Sequence, residues 1–195
     1  MYGPEMEGWA GIMFVRGFYL KGSSDFNDTG SGYRTMTGMD IGVGIQTVGV
    51  FLGQRSLKVD LNGVPGDYLA DHTISDKVFG FFVRTSPYKP GYQLGFDMLF
   101  GLDLMKSASS TEDENQLKNT SVFEMEMNTG YRFTALPLLV KIGYGLWVYE
   151  KPLNEYNTYI YDIRFHHIER IENTIHGGTI NVVYTFGPWK IGGQE

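Results

Sequence analysis

From Tyr92 to Leu104 the chain reads YQLGFDMLFGLDL, in which Tyr92, Leu94, Phe96, Met98, Phe100, Leu102 and Leu104 alternate with Gln93, Gly95, Asp97, Leu99, Gly101 and Asp103. Successive side chains of a β-strand point to opposite faces, so this is a strand with one unbroken apolar face. Its other face carries glycine and carboxylate. The pattern recurs. Phe123, Met125, Met127, Tyr131 and Phe133 oppose Glu124, Glu126, Asn128, Gly130 and Arg132. Leu138, Val140, Ile142, Tyr144, Leu146 and Val148 oppose Lys141, Gly143 and Gly145, and Met39, Ile41, Val43 and Ile45 oppose Asp40, Gly42, Gly44 and Gln46.

Two sorts of connection separate these segments, and they alternate. Short joins fall near 46–49, 86–90 and 134–137; long polar joins fall at 22–31, 61–76, 106–120 and after Glu150. Seven joins make eight strands running up and down, at 8–21, 32–46, 49–60, 77–86, 91–105, 121–133, 138–149 and 174–187. Within 156–173 the alternation of Tyr159, Tyr161, Ile163 and Phe165 changes parity before Ile180, which implies a bulge or turn. That segment reads as a hairpin extension of the last loop, with a ninth and tenth strand as the alternative. All seven prolines fall in joins or at the ends, where no ladder N–H is needed. One barrel domain over 8–187, with tails at 1–7 and 188–195, is the expected organisation.

A soluble barrel turns its apolar face inward, whereas a membrane barrel turns it toward lipid and fills the lumen with polar groups. Four features favour the second. Thirteen residues at about 3.3 Å each, tilted by about 40°, reach some 33 Å, enough for an apolar band of roughly 25 Å. Glycines (Gly42, Gly44, Gly95, Gly101, Gly130, Gly143, Gly145) share the charged face, where they leave room for long side chains in a narrow tube. Aromatics (Trp9, Tyr19, Tyr33, Tyr92, Tyr131, Phe133, Trp147, Tyr149, Tyr184, Phe186, Trp189) gather near strand ends, as in an interfacial girdle. Short joins alternate with long ones, as periplasmic turns alternate with external loops.

This pattern resembles the small eight-stranded outer-membrane β-barrels, the group of the OmpA transmembrane domain, OmpX-like proteins and opacity-type adhesins. The resemblance spans about 8–187 and rests on pattern, without a family-defining motif; the chain also runs nine residues past Phe186, where members of the group commonly end on an aromatic. It implies a bacterial outer membrane, assembly by the envelope's barrel-insertion machinery, and function carried by the loops.

Composition narrows the field further. The net charge is -6 and no Lys/Arg cluster appears, so the footprint of a nucleic-acid partner is missing. There are no cysteines, which removes disulfides, thiolate metal sites and cysteine nucleophiles. No apolar run approaches the roughly 18 residues of a membrane-spanning helix. The start, MYGPEMEGWAG, has neither a basic region nor an apolar stretch of signal-peptide type.

The expected lumen network is Asp40, Gln46, Arg84, Gln93, Asp97, Asp103, Glu124, Glu126, Asn128, Arg132 and Lys141, its acids paired with bases on neighbouring strands because an unpartnered buried charge costs several kcal/mol. The expected lipid-facing set is Leu94, Phe96, Met98, Phe100, Leu102, Met125, Met127, Val140, Ile142, Tyr144 and Leu146. A tube of this bore is filled by its own side chains, which argues against bulk solute transport. No catalytic residue and no cofactor are expected. His166, His167 and Glu169, with His176 nearby, have metal-ligand side chains but no recognised spacing, and rim-facing solvated residues are the simpler reading. His72 reads as a loop residue. Ser56, Ser75 and Ser121 are conceivable nucleophiles for a lipid-modifying barrel enzyme, but none stands at a recognisable spacing from a histidine. The glycine-rich GVGIQTVG at 42–49 opens no helix, so it is no phosphate loop. A soluble lipocalin-like carrier is the third alternative. Lipid, with lipopolysaccharide, is the expected partner, and the loop acids Asp25, Asp28, Asp60, Asp67, Asp71, Asp76, Glu112, Asp113 and Glu114 serve solubility or meet cations. One residue stands out: if Ile12, Phe14, Phe18 and Leu20 face outward, Arg16 faces lipid with them. Either a partner protein in an envelope complex meets Arg16, or the strand has the opposite register.

Overall fold

A computed structural model describes residues 1–26, 30–61, 72–102, 120–152 and 170–189. They form nine strands: β1 (Tyr2–Ala10), β2 (Met13–Phe26), β3 (Gly30–Ile45), β4 (Val48–Leu61), β5 (His72–Arg84), β6 (Gly91–Gly101), β7 (Ser121–Arg132), β8 (Leu138–Pro152) and β9 (Arg170–Trp189). Each strand pairs antiparallel with the next, and β1 closes the barrel by lying parallel to β9. Parallel closure follows from an odd strand number, because the first and last strands of an up-and-down meander then run the same way.

The count corrects the expected eight. Residues 8–21 are not one strand: Gly11 takes a positive φ of 62°, and the chain reverses through Gly11 and Ile12. Residues 2–7, expected as a tail, form most of β1, and the end of β9 includes Pro188 and Trp189, also expected outside the barrel. Pro4 accordingly sits inside a strand, opposite Val182, so the rule that every proline marks a join fails there. The expected long join at 22–31 is largely strand as well, since β2 runs to Phe26 and β3 starts at Gly30. Connections 11–12, 46–47, 85–90 and 133–137 lie at one end, and the strand ends Phe26, Gly30, Leu61, His72, Gly101, Ser121, Pro152 and Arg170 lie at the other. The segment 156–169, Asp103 and the loop acids Asp28, Asp67, Asp71, Glu112, Asp113 and Glu114 lie outside the described residues.

Register fixes the shape. Starting from Phe186 on β9, paired neighbours lead through Gly8, Val15, Ile41, Leu52, Phe79, Phe100, Phe123 and Val148 and return to β9 at Thr174. The sheet thus closes with a stagger of 12 residues, Phe186 to Thr174. Nine strands spaced about 4.8 Å apart with that stagger tilt by about 40° and enclose a cylinder of roughly 9 Å radius. An even stagger also preserves the alternation, so one parity faces out around the whole circuit.

The interior is layered. Near the short-turn end Trp9, Phe14, Phe51 and Phe82 form a buried aromatic cluster, with Trp9 and Phe14 stacked at 4.9 Å between centroids. Toward the other end Leu20, Met36, Leu57, Val59, Ile74, Val78, Leu99, Val122, Trp147, Tyr149 and Ile175 are buried. Charged side chains fill the layer between. Trp9, Trp147 and Tyr149, expected in an outer girdle, therefore belong to the lumen, whereas Tyr19, Tyr33, Tyr92, Tyr131, Phe133 and Tyr184 are exposed on the outer surface.

Candidate functional site in the barrel lumen

Two groups of polar side chains occupy the lumen. The first closes the short-turn end. Arg84 donates from both terminal nitrogens to the two Glu7 oxygens at 2.7 Å, a bidentate pair that holds both planes. Trp9 Nε1 donates to Glu7 at 2.7 Å, and Arg84 Nε reaches the Gln46 carbonyl at 3.4 Å. Ser86 donates to the Gln46 side chain at 2.6 Å, Gln93 is tied to Thr85 and the Lys89 carbonyl, and Arg132 donates to Thr185 at 2.6 Å. The Tyr88 hydroxyl in the 85–90 connection donates to the Phe186 carbonyl at 2.9 Å. Burial, and next the nearby Glu7 carboxylate, raise that hydroxyl above the ordinary tyrosine range, so it stays a donor.

The second group crosses the middle. Arg16 donates to Asp40 at 2.8 Å and to Asp97 at 2.7 Å. Arg55 donates to Asp40 at 2.5 Å and to Glu124 at 3.1 Å, and the Tyr149 hydroxyl donates to the other Glu124 oxygen. Lys141 donates to Glu5 at 2.7 Å. Asp40 thus bridges two arginines, which lie over the Phe51 ring at 4.9 and 5.8 Å. Arg55 also lies 4.9 Å from the Phe18 ring. Removing one member of such a buried pair leaves an uncompensated charge, at about 3–5 kcal/mol.

Glycine makes the room. A Cβ on Gly53 would lie 2.1 Å from Asp40 Oδ1, and one on Gly143 would lie 2.6 Å from Thr179 and 2.8 Å from Glu126. These positions are empty of side chain because the neighbouring polar groups occupy the space.

Of the expected lumen residues, Asp40, Gln46, Arg84, Gln93, Asp97, Glu124, Glu126, Asn128, Arg132 and Lys141 point inward or into the short-turn cap, and Asp103 lies outside the described residues. Of the set expected to face lipid, Leu94, Met127, Ile142 and Tyr144 are exposed, and Phe96, Met98, Phe100, Leu102, Met125, Val140 and Leu146 are half-buried, Met98 also bordering the lumen cavity. Phe96 lies against Phe81 and Phe100 against Phe123 across strands.

Arg16 is the correction. It is buried in the lumen with Phe14, Phe18 and Leu20, while Met13, Val15 and Tyr19 face out. The break at Gly11 resets parity, and Gly17 is an outward glycine whose Cβ would meet only the Gly38 carbonyl at 3.8 Å. The reason for a partner at Arg16 disappears with its outward placement.

Glu5, Glu7, Arg55 and Asn181 are the lumen residues that sequence reasoning missed. The first two alternate with Pro4 and Met6 in PEMEGW, a two-residue period that becomes legible once Gly11 is read as a turn. Arg55 sits in a strand whose outward positions Gln54, Ser56 and Lys58 are polar too, so polarity does not separate its faces.

The serines that sequence analysis singled out lie apart from His176. Ser75 donates to Ser56 at 2.9 Å on the outer wall, while His176 meets the Tyr144 hydroxyl at 3.1 Å across β8 and β9. Ser121 is half-buried at the start of β7, and the His72 side chain is not described. His166, His167 and Glu169 lie outside the described residues, within which no three His, Cys, Asp or Glu converge as metal ligands. Searches against protein-family models, curated proteins and solved structures find no match to this chain.

Proposed function

We propose that this chain is an integral β-barrel of a bacterial outer membrane, with a plugged lumen and a structural or surface-interaction role carried by the connections at its long-loop end. The single observation behind this reading is the level of the outer apolar residues. With a tilt of about 40°, each residue along a strand climbs about 2.5 Å and each step to the next strand shifts the level by about 3 Å. On that scale Ile45, Val48, Tyr92, Leu138 and Phe186 fall at one border, and Met39, Leu52, Phe79, Phe100 and Ile180 fall near the other. They form a belt about 20 Å high that follows the circumference rather than the strands, against roughly 25 Å for membrane barrels. On β2 to β5 the next outward residues, Lys21, Thr37, Gln54 and Lys77, are polar at nearly one level; Phe123, Leu146 and Val148 carry the belt somewhat higher on β7 and β8.

A barrel in water has no reason to level its exposed Ile, Val and Met against the axis, because water is the same at every height. Polar groups inside the belt are also satisfied: outward-facing Thr129 returns its hydroxyl to the Gln93 carbonyl at 3.0 Å, as hydrocarbon surroundings require. Tyr92, Tyr131, Phe133 and Tyr184 pack near the lower border, where amphipathic rings suit a headgroup region. The carrier alternative lacks a matching lumen. The cavity among the buried polar residues holds about 50 Å³, whereas small-molecule sites run at roughly 300–1,000 Å³.

The test is extraction and gel mobility. A membrane barrel partitions with detergent and migrates differently before and after boiling. Solubility without detergent together with unchanged mobility would remove the proposal.

A further inference from the structure

Among the described residues the middle of the lumen has more negative than positive side chains, and two of its acceptors have no hydrogen-bond partner. Glu5, Asp40, Asp97, Glu124 and Glu126 face Arg16, Arg55 and Lys141 across this layer. Lys141 bonds Glu5 through Oε2, leaving the other oxygen, Oε1, buried without a hydrogen bond. Asn181, opposite Lys141 in the β8–β9 register, leaves its Oδ1 likewise. Both residues are more than nine-tenths buried, at 5% and 4% exposure. They line the same cavity of about 50 Å³ as Asp97, Glu126 and Lys141. Among the described residues Glu126 forms only a long contact there, accepting from Thr179 at 3.5 Å.

Buried acceptors of this kind are normally satisfied by a donor or a cation. At about 10–15 Å³ per water the cavity has room for about three to five water-sized particles. Water alone would satisfy the oxygens, and the excess of carboxylates is balanced either by a proton or by a cation. We infer that the cavity binds one small monovalent cation of about sodium size, coordinated by Glu5 Oε1, Asn181 Oδ1 and the Glu126 carboxylate, with water completing the shell. Oxygen donors of this type suit hard cations. The Lys141 ammonium and Arg16 guanidinium in the same cavity disfavour a divalent ion, and no three-ligand metal cluster forms among the described residues. The site sits inside the barrel, so it does not depend on what bathes the outer belt.

The experiment follows the thermal unfolding midpoint of the full chain in detergent as sodium chloride replaces choline chloride at constant ionic strength. A ligand bound only by the folded state raises the midpoint with its concentration. The expected result is a rise of several degrees that saturates, and its loss in Glu126→Gln and in Asn181→Leu. Superimposed sodium and choline curves for the unsubstituted chain overturn the inference, and so does a sodium-dependent rise that both variants retain. If neither variant folds, sodium-23 relaxation on the unsubstituted chain decides. Broadening that saturates at one ion per barrel supports the site, and broadening that never saturates, or none, overturns it.

Discussion

The two faces of the barrel wall are built from the same strands and obey different rules. On the outside the residue type carries over from strand to strand: Ile41, Leu52 and Phe79 are paired neighbours, and all three are apolar. On the inside, a particular partner decides it. Asp40 sits where it does because Arg16 and Arg55 reach it, and Gly53 is glycine because Asp40 lies over it. The outer face answers to a continuous medium and the inner one to discrete contacts. An outer residue should therefore tolerate any apolar replacement, and an inner one almost none.

Arg55→Met should produce the largest effect. It takes the only arginine from Glu124, leaving that carboxylate to the Tyr149 hydroxyl, and leaves Asp40 to Arg16 alone among the described residues, with an expected loss of about 3–5 kcal/mol in denaturant unfolding. Adding Asp40→Asn should recover part of it; a full loss in the double variant would show that the ion pair is not the unit.

Next comes Ile41→Arg on the outer face. If the belt spans a bilayer as proposed, an arginine there costs about 2–4 kcal/mol, measured as reduced folding into vesicles. Ile41→Leu should be nearly silent. If the arginine is equally silent, the outer face meets water and the contrast fails.

Gly53→Ala sharpens the inner rule. The new methyl collides with Asp40 and with the Met39 carbonyl at 2.6 Å, and overpacking of this sort costs about 1–3 kcal/mol. Gly17→Ala, with open space outside, should cost less than half as much by the same unfolding measurement. At the small end stands Lys58→Ala. Its pair with Asp60 is 2.7 Å long but the lysine is 55% exposed, so the change in unfolding free energy should stay within about 0.5 kcal/mol.

The difference between the faces also explains what could be read from sequence. A face that meets one medium is written as simple alternation. Alternation alone puts Leu94, Met127, Ile142 and Tyr144 on the opposite face from Asp97, Glu124 and Lys141, and the first four are exposed on the outer wall. Which side chains meet across paired strands depends on register, and register leaves no local trace. Nothing near Asp40 announces Arg55, fifteen residues away in β4, or Arg16 in β2. The failures cluster where parity resets. One glycine at position 11, read as an ordinary strand glycine, joined β1 to β2, turned Arg16 outward, left Glu5 and Glu7 in a tail, and lost a strand. Aromatic side chains misled for a related reason: a ring serves an interfacial girdle and a packed lumen equally well, and only the parity of Trp147 against Leu146 separates the two.

The most direct test of the level belt uses the cysteine-free chain as its own background. Single cysteines at Ile41 and Thr35, on the same face of β3, are spin-labelled in reconstituted vesicles and probed with oxygen and with a water-soluble nickel reagent. The expected result is a label at 41 that meets oxygen and is shielded from nickel, beside a label at 35 that nickel reaches. Nickel reaching both positions alike would mean that the belt faces water and that the barrel does not span a bilayer.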